Sequence, residues 1–170
     1  MVNSPRGRPT SPVPKQSYKI PEDELLFIDP AIRELIVDLN SLGYETFGSC
    51  EGHLTPTGVI HNGYIDFAPG AIKTVVDKRE VRNIVSAHTK TKILWFSARR
   101  IVFKGSVSAK PTASGFEAID LLQDIESGGK IFHRSPKRIL ALYDVDDLRE
   151  RAAVAEAWLD RERTLGGQRG

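Results

Sequence analysis

Gly43-Tyr44-Glu45-Thr46-Phe47-Gly48-Ser49-Cys50-Glu51-Gly52-His53 is the stretch on which the fold turns: a helix ends, a strand runs and a chemically rich loop opens within it. Upstream, Asp29 can cap a helix and Pro30 suits its first position. Ile32, Leu35, Ile36, Leu39 and Leu42 then recur at helical spacing until Gly43 supplies a stop. Tyr44 to Gly48 alternates as a short strand does and delivers Ser49 to His53 into a loop. That loop carries the chain's only cysteine, a carboxylate and an imidazole, flanked by Gly48 and Gly52, which let a backbone bend tightly or approach a ligand closely.

Working outward, Asn62-Gly63 marks a turn and Tyr64 to Phe67 reads as a second strand, so the two strands can pair as a hairpin-like unit. Pro69 to about His88 has a helical pattern with Ile72, Val75, Val76, Ile84 and Val85 as its buried side. Ile93 to Lys104 is rich in strand formers, and Ser97 to Arg100 interrupts it as a bulge or as a break between two strands. Phe116, Ile119, Leu122 and Ile125 line one face of a helix that Gly128-Gly129 ends. Lys130 to Tyr143 is expected to return as a strand interrupted by Pro136. Asp144 or Asp146 can cap a last helix with Leu148, Ala152, Ala155 and Leu159 on its inner face.

This order predicts an α+β fold: a single domain over 21–164, with a mixed or largely antiparallel sheet and helices packed on one face. Residues 1–20, with Pro5, Pro9, Pro12 and Pro14 among Ser, Arg and Lys, are expected to be a flexible basic tail, and 165–170 a frayed end.

A chain of 170 residues with 40% hydrophobic and 27% charged residues has the composition of an ordinary soluble protein. A net charge of +2 does not by itself announce a nucleic-acid binder. One cysteine excludes an internal disulfide, and no disulfide-linked partner is expected. No apolar run approaches the roughly 20 residues of a membrane helix. The N-terminus has no apolar signal core. A cytoplasmic protein without a membrane partner is the expectation.

The loop supports three chemistries. Cys50 and His53 can ligate a metal, with His61 or a carboxylate completing the set, and thiolate with imidazole suits a zinc ion. Cys50 can instead be a nucleophile with His53 or His61 as its base. In the third, Ser49, Glu51 and the glycine amides cradle a small molecule while Cys50 packs, as lone cysteines often do.

A helix ending in Leu-Asn-x-x-Gly-Tyr, followed by x-Thr-x-x-Ser-Cys-Glu-Gly-His and Tyr-Ile-x-Phe, spans Leu39 to Phe67. In this it resembles a group of small phage and bacterial proteins. The segment is more distantly similar to the wybutosine-pathway methyltransferase family, which modifies a guanosine of transfer RNA with S-adenosylmethionine. Thr46, Ser49, Cys50 and Gly52 match that family's Thr-x-x-Ser-Cys-Ser-Gly-Arg-like segment, whereas Glu51 and His53 depart from it. The resemblance implies a shared fold, S-adenosylmethionine as a cofactor and a nucleotide as substrate.

Elsewhere, Arg99 and Arg100 follow Trp95-Phe96 and could hold a phosphate beside a stacked base, or sit at an exposed bulge. His133-Arg134-Ser135-Pro136-Lys137-Arg138 is the densest basic cluster, fit for phosphates or for a charged surface loop. Asp144, Asp146 and Asp147 read as helix-capping residues, and Arg149, Glu150, Arg151 and Glu156 as a solvated helix face. The expected function is therefore an enzyme acting on a nucleotide, nucleic acid or phosphorylated ligand. Cys50, Glu51 and His53 would be its catalytic groups, and Ser49, His61, Arg99, Arg100, His133, Arg134 and Lys137 would bind its substrate. The alternative is a phage-type binding or regulatory module that contacts a protein or nucleic acid and performs no chemistry.

Overall fold

Apolar side chains at alternate strand positions, Ile65 and Phe67 in one strand and Ile101 and Phe103 in another, are fully buried and set the inner face of a sheet. The computed structural model describes residues 15–55, 57–108 and 110–167. A short helix α1 (Glu22–Leu25) leads through a 3-10 turn (Pro30–Ile32) into α2 (Arg33–Ser41). The strands β1 (Thr46–Cys50), β2 (His53–Leu54), β3 (Ile60–His61) and β4 (Gly63–Phe67) follow. Then come α3 (Val75–Thr89), β5 (Ile93–Phe96), β6 (Arg100–Phe103), α4 (Gly115–Ser127), α5 (Pro136–Leu142) and α6 (Val145–Gly167).

The main sheet has the order β1-β4-β6-β5, and each of its pairings is antiparallel. The expected α+β fold with an antiparallel sheet is what the chain forms. The interruption at Ser97 to Arg100 separates two hairpin strands. β2 and β3 make a small sheet of their own, with His53 opposite His61.

Among the described residues two apolar cores result. One joins the inner sheet face to α2 and α3 through Ile32, Leu35, Ile36, Leu39, Val81 and Val85. The other lies among α4, α5 and α6 and contains Ala118, Leu121, Ile139, Tyr143, Leu148 and Ala152.

Several local expectations are corrected. Lys130 to Tyr143 contains no strand: Ser135 caps α5 by accepting from the Arg138 amide, and Pro136 occupies a first-turn position where its missing N–H costs nothing. Helix α3 starts at Val75, because Thr74 and Asp77 form a capping box there. Val75 and Val76 are consequently exposed, and Val81 and Val85 carry the buried face. In α4 the buried stripe runs through Ala118 and Leu121, leaving Phe116 largely in solvent.

The expected tail is ordered from Lys15 onward. The Lys15 ammonium lies 2.9 Å from Asp77 and 4.0 Å from the Tyr44 ring centroid, and Tyr18 donates its amide to the Asn40 carbonyl. Residues 1–14 lie outside the described residues. At the other end α6 continues to Gly167, and the rest of the expected frayed segment, 168–170, also lies outside. Among the described residues no helix is long and apolar enough to cross a membrane.

Candidate metal centre and its cleft

Gly52 adopts a left-handed backbone (φ +85°), and a side chain there would come within 2.8 Å of the His61 carbonyl oxygen. Only glycine suits this turn, which folds β2 back so that His53 faces the end of β1. The expected loop is thereby reduced to Glu51-Gly52: Ser49 and Cys50 belong to β1 and His53 to β2. Cys50 Sγ and His53 Nε2 are 3.1 Å apart, and the other ring nitrogen of His53 meets the Thr112 hydroxyl.

Asp29 completes the group. Its side chain does not cap α2 as expected. Instead one carboxylate oxygen accepts from the Glu51 amide at 2.9 Å, and the other pairs with Arg151 at 2.8 Å. Donor atoms of Asp29, Cys50 and His53 all lie within 4.8 Å of one another.

Beneath them, Glu51 is 0% exposed. Its Oε1 accepts from the Ser108 hydroxyl at 2.5 Å and from Arg151 at 3.1 Å, while Oε2 accepts from the Ala31 amide at 3.0 Å. Glu51, expected as a catalytic group, is sealed away from the cleft and its carboxylate does not line it. Arg151, expected on a solvated helix face, is buried and also pairs with Asp147 at 2.9 Å.

The electrostatics follow from this packing. Burial pushes the Cys50 thiol up; the Gly52 amide opposes that shift, and the charges of Asp29 and Glu51 add to it. Burial also raises the Glu51 carboxyl, against the hydrogen bonds from Ser108 and Ala31. For Arg151, burial works against the charge, but Asp29, Asp147 and Glu51 together outweigh it and hold the guanidinium protonated. Asp29, Glu51 and Asp147 thus share the single guanidinium of Arg151.

The centre forms part of the wall of a cleft of about 730 Å³, a size ordinary for small-molecule sites. Ser49, His61 and Tyr64 line it with Thr112 and Arg33, so the structure brings Ser49 and His61 together with Cys50 and His53 as expected.

None of the basic candidates lines the cleft, although Arg100 borders it through Tyr64. Arg100 forms a two-bond pair with Asp66 and stacks over Tyr64 at 4.4 Å, and Arg99 is exposed in the β5–β6 turn. His133 and Arg134 line a different depression of about 440 Å³, in a loop whose Phe132 and Arg134 amides are held by buried Asp124. Lys137 is exposed on α5.

Asp29, Ser108, Thr112 and Arg151 are the participants that spacing along the chain does not reveal. Asp29-Pro30 and the charge run of α6 are their only local marks, and both read equally well as helix signals. No protein-family pattern, curated protein or solved structure matches the chain.

Proposed function

We propose that the protein is a metal-dependent enzyme in which Asp29, Cys50 and His53 hold one divalent cation at the cleft. The observation that carries this reading is the convergence of carboxylate, thiol and imidazole donors within 4.8 Å at a cleft wall. Soft sulfur with nitrogen and one oxygen suits zinc, and three protein ligands leave a fourth position for water or substrate.

Two further features support it. Hydrogen bonds from beyond the donors orient each of the harder ligands, Thr112 on His53 and Arg151 with the Glu51 amide on Asp29, as metal ligands generally require. The surplus of carboxylates over Arg151, one buried and two partly buried, would also be balanced by a cation there.

Held by Asp29, Cys50 and His53, such a cation would supply acidification of water near neutrality, the chemistry of metal-assisted hydrolysis of a small substrate. A free thiol nucleophile is less favoured, because burial and the neighbouring Asp29 and Glu51 carboxylates push the Cys50 thiol up, whereas a bound cation would itself draw the proton off the sulfur. S-adenosylmethionine chemistry and phosphate recognition gain no support from the cleft lining, which lacks Arg99, Arg100, Arg134 and Lys137.

Metal content by mass spectrometry on the untagged protein tests the proposal. Near-stoichiometric zinc that is lost in both Cys50→Ser and His53→Ala supports it. Protein that is metal-free as purified and takes up no zinc on titration overturns it.

A further inference from the structure

The cleft above the centre carries its own information about what enters it. Three of its aromatic side chains remain about half in solvent: Phe27 (49% exposed), Phe116 (52%) and Trp158 (43%). They come from the segment after α1, the first turn of α4 and the middle of α6. Phe116 and Trp158 meet edge to face, with ring centroids 5.8 Å apart at 86°, which fixes both orientations without covering either ring. Large exposed aromatics that converge on one concavity are uncommon on a soluble surface and mark contact with a ligand.

The charges in the same cleft are already used. Arg33 pairs with Glu150 at 2.6 Å, and Arg151 is enclosed by its carboxylates. No guanidinium or ammonium of the lining is left to receive an anion; the Arg161 guanidinium, outside the lining, stacks over the Phe27 ring at 5.5 Å, and among the described residues Glu117 is the cleft carboxylate with no ion pair.

Building on the metal-centre reading, we propose that the substrate is a small uncharged molecule with a planar ring. The ring lies against Phe116 and Trp158, and the reacting group is directed toward Asp29, Cys50 and His53. Trp158 is the specificity-determining residue of the cleft. Phosphorylated ligands are disfavoured, because no lysine or arginine of the lining is free to neutralise them, the Cys50 thiolate and Asp29 carboxylate would cancel the charge of a bound divalent cation, and Glu117 repels them.

The test uses two fluorescent probes with the same ring system: uncharged N-phenyl-1-naphthylamine and its sulfonated analogue, 1-anilinonaphthalene-8-sulfonate. Both are titrated into the intact protein, as purified and again after chelation. The uncharged probe should bind at least roughly tenfold more tightly than the sulfonate. Trp158→Ala should weaken its binding by up to about tenfold, Phe116→Ala should weaken it less, and Trp158→Phe should largely restore it. In Trp95→Phe protein, where Trp158 is the remaining tryptophan, the uncharged probe should quench the protein emission. Equal or tighter binding of the sulfonate, or an affinity unmoved by both Trp158→Ala and Phe116→Ala, overturns the proposal. Because the chelated protein is measured too, this result stands or falls separately from metal content.

Discussion

In the sheet core the largest fully buried side chains are Tyr44, Phe67 and Phe103, drawn from segments far apart in the chain. The helical core mixes the small residues Ala113, Ala118 and Ala152 with Leu121, Ile139, Tyr143 and Leu148, and α4 approaches α6 closely at Gly115. A Cβ on Gly115 would come within 2.8 Å of the Ala155 Cβ. The sheet core is therefore sensitive to what is removed from it, and the helical core to what is added. Neither contains the polar cluster, which lies where they meet. Glu51 at the end of β1 and Asp29 ahead of α2 reach across to Arg151 on α6. Each region also holds one of the two tryptophans, Trp95 in β5 and Trp158 in α6, so their unfolding can be followed separately.

Arg151→Ala should have the largest effect, because it leaves the buried Glu51 and partly buried Asp29 carboxylates without their cation. The expected loss is about 3–5 kcal/mol in urea unfolding. Single-tryptophan variants should then show the helical region melting before the sheet; coincident transitions would mean that apolar contact alone couples the cores.

Phe67→Ala should follow at about 3–4 kcal/mol through the cavity it leaves. Because Arg151 is intact in this variant, Trp95 and Trp158 should report the same shifted midpoint. A shift confined to Trp95 would make the cores independent.

Gly115→Ala should cost about 1–3 kcal/mol by overpacking the α4–α6 contact. Combining it with Ala155→Gly should recover part of that loss, a coupling that a double-mutant cycle measures. Additive losses would show that the helices do not touch there as described.

The smallest effect concerns acid. Burial opposes the Asp77 charge, but the Lys15 ammonium and the Lys73 and Thr74 amides outweigh it and hold its carboxyl below the usual range. Stability from this group is therefore present above the unfolded value of about 3.9 and lost as pH falls through the lower folded value. Asp77→Asn should lower stability at neutral pH by about 1 kcal/mol or less and flatten the acid limb below about pH 4 in thermal melts. An unchanged acid limb would remove Asp77 from that account.

What could be read from the chain divides along the same line. Helix α2, the hairpin strand β4, the end of α4 and the inner face of α6 follow from periodicity and local stop signals. The donor pair Cys50 and His53 follows from their placement around Gly52. Pro136 misled because a proline can interrupt a strand or open a helix, and Ser135, a capping residue, decides between them. Asp29 and Arg151 stayed hidden because their meaning depends on partners that lie 122 positions apart. An arginine in a charged helix shows no periodic sign that its face is turned inward.

The span between those partners also has a consequence in time. Chains emerge from the ribosome N-terminal end first. Asp29, Cys50, Glu51 and His53 are exported long before the arginine that pairs with Asp29 and Glu51, 100 positions beyond Glu51. The nascent sheet can pack around its aromatic residues while the centre is still an unbalanced set of acids with no fixed geometry. The buried cluster reaches its final geometry only when α6 docks and brings Arg151 to Asp29 and Glu51.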